Sequence, residues 1–301
     1  MLRLLWEMVP CLLVGALIGR WRPQWITPLA TPLVRYGVPV SLMGLLLHGG
    51  LNRSLLLMAL LSVTAIALML VLLRGCRFIT DALAMPDQQL ASCIGNTAYF
   101  GIPAALALLP AEALPVSIGY DFGATLLAWG LGPLWLHQRN HHGHGGYWRA
   151  LASHLMASPA TRGLIGALIV MATPWHDVIS AGLWLPSRVV IVLALAVVGM
   201  RLGSIAARAR ATAPSGLHAP LVCKLLLFPL LMLLICLPLP LSLLAKKALV
   251  LQAAAPTAIS VLLMAESEQC DPSASAQLIL RSTLIALVSV PLWSFVLNRL
   301  F

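Results

Sequence analysis

The polar and helix-breaking residues of this sequence are concentrated at two points inside long apolar runs. The first is IGNTAYFGIPAAL, residues 94–106. Four of its residues disfavour an unbroken helix: Asn96, Thr97, Gly101 and Pro103. Proline removes a backbone donor and clashes with the preceding turn. A helix broken here presents backbone polar groups and the positive dipole end of a half-helix, which favour the binding of an anion.

The second point is VLQAAAPTAISVLLMAE, residues 250–266. Pro256 lies 153 residues after Pro103, and both prolines are deep inside apolar runs. Three polar residues accompany it: Gln252, Thr257 and Ser260. A single proline in a membrane helix is most often only a kink. Matched interruptions in two corresponding helices, however, indicate the binding site of a transporter.

Three charged residues inside the apolar runs are candidates for a functional role. Asp121 is the one acidic residue of nine that is well inside such a run. A carboxylate there is costly and is a functional candidate by default. It could carry a coupling proton, bind an ion or pair with a basic residue. Lys224 and Arg281 could attract an anionic substrate or pair with Asp121, but we favour snorkelling toward lipid headgroups for both.

The composition determines which elements hold these residues. The chain is 60% hydrophobic and 9% charged, with a mean hydropathy of +0.94. Soluble domains carry about 25% charged residues. A chain this apolar belongs in a bilayer, whose core admits only helices or closed barrels. Because the apolar runs are continuous instead of alternating, we predict an all-α integral membrane protein.

Ten apolar runs are long enough to be candidates for crossing the membrane, which takes about 20 residues. They are residues 4–19, 32–48, 54–73, 88–109, 113–136, 159–173, 186–202, 218–236, 243–265 and 276–297.

The distribution of basic residues predicts the orientation. Thirteen of the 19 Lys and Arg residues lie in or beside the first, third, fifth, seventh and ninth connections. Positive loops face the cytoplasm, so both termini are expected outside a cell membrane. The net charge of +10 then reflects this bias and contact with anionic lipid, and it gives no argument for nucleic-acid binding.

The spacing of the runs predicts an internal repeat. The second, third and fifth runs recur after about 154, 164 and 161 residues, which suggests five helices repeated upside down. Residues 1–136 would form the first repeat and residues 159–301 the second. Residues 137–158 would form a cytoplasmic linker that contains five histidines, which we interpret as linker sequence in preference to a weak metal site. They are His137, His141, His142, His144 and His154.

No pattern typical of an enzyme is present. The sequence lacks HExxH, GxSxG and a phosphate-binding GxxxxGK[ST] motif. The six cysteines are scattered and none forms CxxC, so we predict no disulfide and no metal site. We expect neither catalysis nor a cofactor.

At the first break the chain resembles a known family. GNTAYFGIP is similar to the GNTGFFGIP-type signature of the auxin efflux carrier family of membrane transporters. Four further segments resemble the second, eighth, ninth and tenth helices of that family. They are PVSLMGLLL, KLLLFPLLMLL (224–234), QAAAPTAISVLLMAE and LVSVPLW (287–293).

The resemblance implies a fold of ten helices in two inverted five-helix repeats, similar to sodium/bile-acid symporters and sodium/proton antiporters. Helices four and nine would cross at their breaks, which places Asn96, Thr97, Pro103 and Pro256 on the crossing. Helices one, two, six and seven would form a scaffold, often dimeric, and the other six a moving core. Ser260 stands where the family often has Asn, and Ala98 where Gly is common.

The resemblance and the paired breaks predict a secondary transporter of small organic anions, such as mono- or dicarboxylates, that works by alternating access. A sodium- or proton-coupled symporter or antiporter that uses Asp121 is the alternative. The classic proton antiporters of similar fold use two adjacent acids, and here the neighbour is Tyr120. A ligand-binding membrane sensor is a third option.

Overall fold

The computed structural model describes residues 2–49, 53–75, 85–137, 159–208, 216–268 and 273–301, with the isolated positions 83, 149, 152–153 and 156. Throughout these residues the chain is helical apart from short connections. The described residues form no β-strand, and their β-type pairing is one isolated antiparallel bridge between Gly95 and Thr257. The all-α prediction is confirmed. Four histidines of the predicted linker lie outside the described residues: His141, His142, His144 and His154.

We number the α-helices of the described chain α1–α14. They are α1 (Leu2–Trp21), α2 (Ile26–Pro32), α3 (Val38–Gly49), α4 (Arg53–Gly75), α5 (Pro86–Ala91), α6 (Ile102–Leu108), α7 (Leu114–His137), α8 (Pro159–Met171), α9 (His176–Arg208), α10 (His218–Val222), α11 (Phe228–Cys236), α12 (Leu243–Ala253), α13 (Ile259–Ser267) and α14 (Ser273–Leu300). Short 3-10 turns occupy Pro23–Trp25 and Ala111–Ala113, and π-helical turns occupy Leu33–Gly37, Thr97–Gly101 and Cys223–Leu227.

Five helical segments are long and apolar enough to cross a membrane. They are Pro23–Gly49, Arg53–Gly75, His176–Ala207, His218–Cys236 and Ser273–Leu300. Three shorter apolar helices accompany them: Val9–Trp21, Thr97–Leu108 and Thr161–Met171. Several of these segments join elements numbered separately above, because a π-helical turn continues the helix instead of ending it. The chain is therefore a multi-pass membrane protein.

Two predicted runs differ from the helices in their bounds. The helix predicted for 186–202 begins ten residues earlier, at His176, as part of the 33-residue α9. Asp177 lowers the local hydropathy, yet an acidic residue in a first turn is favoured by the helix dipole. The run predicted at 32–48 is the end of a longer helical segment, Pro23–Gly49.

The helices pack in two sets. In the first, α1 lies along α9, and α3 packs against α8 and α9. In the second, α4 lies along α7, and α11 packs against α12. The interrupted helix α5–α6 lies where these sets meet, since the π-helical turn before α6 contacts both α7 and α9.

The contact between α1 and α9 is unusually close because glycines line both helices. Gly15 and Gly19 of α1 face Gly199 and Gly203 of α9, each pair with the small-xxx-small spacing that lets membrane helices approach. A Cβ atom at Gly203 would overlap the backbone carbonyl of Ala16. The two helices are thereby held as one rigid pair.

We expect Gly203→Val to destabilise the protein, because the neighbour that must move is backbone. Overpacking of this kind costs about 1–3 kcal/mol and occasionally more. Gly182→Val is the matched control, since nothing lies within 4 Å of a Cβ atom at that position of the same helix. Thermal unfolding in detergent should show a lower Tm for Gly203→Val alone. Equal Tm values for the two variants would contradict the close packing.

Candidate functional site

The two breaks of the interrupted helices meet and pair with each other. One chain segment runs between Ala91 at the end of α5 and the π-helical turn that starts at Thr97, and the other between α12 and α13. The Asn96 N–H donates to the Pro256 carbonyl at 2.7 Å, and the Ala258 N–H donates to the Ile94 carbonyl at 3.0 Å. Backbone groups released by a break must find partners in a bilayer, and here each break satisfies the other.

Side chains complete the pairing. The Thr257 hydroxyl donates to the carbonyl of Ala91, the last residue of α5, at 2.9 Å. The Thr257 N–H donates to the Ser282 hydroxyl of α14 at 3.0 Å. On the other segment, the Asn96 carbonyl accepts from the N–H groups of Phe100 and Gly101, at 3.1 and 3.0 Å. The crossing is therefore a fixed backbone structure.

The prolines take different places in the two breaks, which corrects one prediction. Pro256 lies within its break and supplies the carbonyl that pairs with Asn96. Pro103, in contrast, is the second residue of α6, off the crossing. The π-helical turn Thr97–Gly101 leads directly into α6, so Pro103 lies inside the continuous helical segment Thr97–Leu108, after the break. The residue opposite Thr257 in the pairing is Gly95.

Lys224 lies at the crossing and is completely buried. Its ammonium donates to the Ala253 carbonyl, the last of α12, at 2.8 Å, and it lies 4.8 Å from the centre of the Phe228 ring. A Cβ atom on Gly95 would be only 3.2 Å from Nζ, so the charge also borders the other break. Snorkelling is therefore wrong for Lys224. Its charge faces the negative dipole end of a half-helix.

Asp121 lies on the opposite side of the first break and is also buried. Thr97 donates its hydroxyl to Asp121 Oδ1. The other carboxylate oxygen, Oδ2, is buried without a hydrogen-bond partner among the described residues. A second buried carboxylate, which the sequence did not indicate, is Asp87 in the first turn of α5, where Ser275 donates to it at 2.9 Å.

A cavity of about 110 Å³ lies between the crossing and α9. Asn96, Thr97, Asp121 and Ser260 all line it, so the structure brings these four predicted residues together. Its other polar lining residues are Tyr99, Thr125, Trp129 and Arg201. The remaining walls are apolar side chains from the segment Pro23–Gly49, α9 and α13.

The other predicted residues lie outside this lining. Pro256 and Thr257 form the crossing behind it, and Lys224 is on its far side. Pro103 borders a second cavity of about 490 Å³ between α3, α6 and α9. Arg281 is half-buried on α14 and makes no hydrogen bond or ion pair within the described part of the chain.

Gln252 and Gly101 form a separate contact behind the crossing. Gln252 is fully buried, and neither amide atom of its side chain has a hydrogen-bond partner in the described structure. A Cβ atom at Gly101 would overlap Gln252 Oε1. Glycine at this position is thus what allows the glutamine side chain to pack against the π-helical turn.

We therefore expect Gly101→Ala to be destabilising in the wild-type background and tolerated with Gln252→Ala. Removing the glutamine side chain opens the space that the new methyl group needs, so the two changes should couple by about 0.5–3 kcal/mol. Unfolding of the two single variants and the double variant measures this coupling. Strict additivity of the two changes would contradict the contact.

Four polar residues that line the cavity were not identified from the sequence: Tyr99, Thr125, Trp129 and Arg201. Arg201 was counted only as a flanking positive charge, while Tyr99 and Trp129 look like ordinary aromatic residues of apolar runs. The Tyr99 hydroxyl is buried and has no described partner. A polar atom within an apolar run was the available signal for Arg201 and Tyr99. Which face of the helix they occupy depends on tertiary packing.

Metal binding has no support in the described residues, where no group of three or more His, Cys, Asp and Glu side chains could hold an ion. His137 is the last residue of α7.

Part of the chain is similar to a known protein family. Residues 148–294 match the family model described as "Membrane transport protein". Over these residues the chain is similar to this family, that of the auxin efflux carriers. No curated protein gives a significant match to the chain. The matched part of the chain includes Arg201, Lys224 and the second break, while the GNTAYFGIP segment precedes it.

Proposed function

We propose that this membrane transport protein is a secondary transporter of small organic anions, such as mono- or dicarboxylates, that works by alternating access. The observation that carries the proposal is the hydrogen-bonded crossing of two broken helices beside a buried cavity. Paired broken helices at the membrane midplane are the usual binding site of such transporters. The family match over residues 148–294 supports transport, and the substrate class is inferred from the geometry of the crossing.

Anion binding follows from the charges around the crossing. The half-helices that begin after each break direct their positive ends toward it, and Asn96 and Ser260 add polar groups at the cavity wall. The negative end of α12 is occupied by the Lys224 ammonium. With that end neutralised by a built-in cation, the local field favours a bound anion.

Alternating access is supported by the positions of the two cavities. Both lie between the pair α3 and α9 on one side and the interrupted helix on the other. Along α9, the smaller cavity contacts residues 194–201 and the larger contacts residues 184–195. Along α3, the smaller cavity borders Leu42 and the larger cavity borders Leu45. Movement of the interrupted helices along α3 and α9 would open one cavity and close the other.

We further propose that the chain crosses the cell membrane ten times as two inverted repeats, 1–136 and 159–301, joined by a cytoplasmic linker, with both termini outside. The distribution of basic residues supports this orientation. The smaller cavity would then open toward the cytoplasm. The closely packed set of α1, α3, α8 and α9 would be the static scaffold and the surface of a homodimer.

A thermal-shift screen of carboxylates on the purified protein, followed by flux in proteoliposomes, tests the proposal. A ligand that binds only the folded state raises the apparent Tm in proportion to its occupancy. We expect at least one small carboxylate to raise the Tm and to be transported. Binding without flux would favour the membrane sensor, and neither binding nor flux of any carboxylate would contradict the proposal.

The ion-coupled alternative rests on Asp121, whose buried Oδ2 has no described partner. If Asp121 couples transport to sodium or protons, flux should require the ion gradient, and Asp121→Asn should remove that requirement or abolish flux. On our leading proposal, flux down the anion gradient persists without either ion gradient. Flux measured with and without sodium and pH gradients, for wild type and Asp121→Asn, separates the two mechanisms.

A further inference from the structure

A groove of about 460 Å³ lies between α14 and the helical segment His218–Cys236. Its apolar walls include exposed side chains from both elements: Val222, Leu226, Ile285 and Leu292. The chain is a multi-pass membrane protein, and large exposed apolar surfaces on its helices contact lipid. The occupant that the surroundings of this groove supply is therefore a lipid acyl chain.

The two walls of the groove run in the same direction. At one end Trp293 Nε1 donates to the Leu225 carbonyl at 2.9 Å. The other end is lined by His218 and Ile285, which lie seven residues before Leu225 and eight before Trp293, respectively. The helix α10, which begins at His218, also packs against α5, and α5 is hydrogen-bonded to the first turn of α14. The His218 end of the groove therefore lies toward the N-terminal end of α14.

A charged residue borders this end of the groove. Arg281 lies one turn before Ile285 on the same face of α14, and it makes no hydrogen bond or ion pair with any described residue. The 17 residues between Arg281 and Arg299 carry no charge. At 1.5 Å per residue this stretch is about 27 Å long, close to the ~30 Å thickness of the hydrocarbon core. Arg281 therefore lies near the level at which hydrocarbon meets the lipid headgroups.

The chemistry of this end of the groove favours a phosphate. A helical side chain points back toward the N-terminus of its helix, so the Arg281 guanidinium reaches from the apolar boundary toward the headgroups. Its planar fork of donors fits phosphate oxygens, and the exposed imidazole of His218 can donate beside it. Because no carboxylate within the described part of the chain pairs with Arg281, a lipid with a net negative charge suits the site better than a zwitterionic lipid, which brings a cation of its own.

We propose that this groove binds an anionic phospholipid, with the phosphate on Arg281 and His218 and one acyl chain along the groove. On the orientation proposed above, the lipid belongs to the cytoplasmic leaflet. The segment His218–Cys236 also carries Lys224, so a lipid that holds this segment against α14 supports the contact of Lys224 with the crossing. The proposal needs only that the chain lies in a membrane, so it stands or falls independently of which anion is transported.

Native mass spectrometry of the full-length protein in detergent counts the lipids that stay bound as dioleoyl phosphatidylglycerol or dioleoyl phosphatidylcholine is added. We expect the first phosphatidylglycerol to bind more tightly than phosphatidylcholine by about tenfold or more, the size of one charged hydrogen bond. Arg281→Gln should remove this preference, and Arg281→Lys should keep part of it. The matched control is Arg299→Gln, which removes an exposed arginine from the other end of the same helix and should leave the preference unchanged.

Two further variants test the groove itself. Ser289→Phe and Val222→Phe each fill it from one wall without changing a charge, and both should weaken the binding of the two lipids. Glycerol 3-phosphate, which has the phosphate without an acyl chain, should not displace phosphatidylglycerol at equal concentration. The inference would be overturned by equal affinity of the wild type for the two lipids, by a loss in Arg299→Gln as large as in Arg281→Gln, by unchanged binding in both phenylalanine variants, or by displacement with glycerol 3-phosphate. None of these outcomes depends on whether a carboxylate is transported, so the proposed function is tested separately.

Discussion

Lys224→Met should reduce transport to background, because it removes the one positive charge that the structure builds into the crossing. The ammonium donates to the Ala253 carbonyl at 2.8 Å in a fully buried position, and such charged hydrogen bonds contribute about 1.5–3 kcal/mol. A unit charge also acts on an anion ~10 Å away by about 1.7 kcal/mol at an effective dielectric of ~20. Together these losses weaken both the crossing and its affinity for anions.

Lys247→Met is the matched control for that experiment. Lys247 lies on α12, the helix whose last carbonyl Lys224 contacts, and donates to Asn298 at 2.8 Å, so its replacement removes the same charge away from the crossing. Flux per folded protein should be close to wild type in Lys247→Met and absent in Lys224→Met. Equal flux in the two variants would show that the buried ammonium has no part in transport.

Asn96→Asp should abolish anion binding at almost constant side-chain volume. Asn96 lines the cavity and is 6% exposed, so a carboxylate introduced there faces the substrate. Two like charges ~4 Å apart repel by about 4 kcal/mol at an effective dielectric of ~20, which corresponds to about a thousandfold in affinity.

Asn96→Ala should be less damaging than Asn96→Asp, because it removes a polar contact without adding repulsion. The N–H group that pairs with Pro256 is backbone and is retained in both variants. The ligand-induced rise in Tm, measured over a range of carboxylate concentrations, gives the affinity of each variant. An Asn96→Asp protein that binds as tightly as Asn96→Ala would place the anion elsewhere.

The sequence predicted the existence of the crossing better than its position. Pro256 and Asn96 were identified because polar and helix-breaking residues stand out in an apolar run. Pro103 was expected on the crossing for the same reason, yet the structure places it after the break, inside the continuous helical segment Thr97–Leu108. The first break depends instead on residues 92–96, whose backbone finds partners in a segment remote in sequence.

Positions that depend on helix rotation could not be predicted. Lys224 occupies a π-helical turn, and the extra residue of such a turn changes which side chains face inward, so a residue that resembled a lipid-facing lysine is buried. For Arg201 too, near the end of a long apolar run, the sequence does not indicate which face of the helix the side chain occupies. The glycine pairs Gly15/Gly19 and Gly199/Gly203 were readable as close-packing motifs, but the sequence did not indicate that they face each other.

Counterflow in proteoliposomes tests the central claim most directly. Vesicles that contain the wild-type protein and an unlabelled carboxylate identified by the thermal-shift screen are diluted into the labelled compound, without sodium or pH gradients. We predict transient accumulation of label with the wild type, because alternating access exchanges anions across the membrane, and none with Asn96→Asp or empty vesicles. Accumulation with Asn96→Asp equal to the wild type, or none with a wild-type protein that binds the same carboxylate, would contradict transport through the crossing.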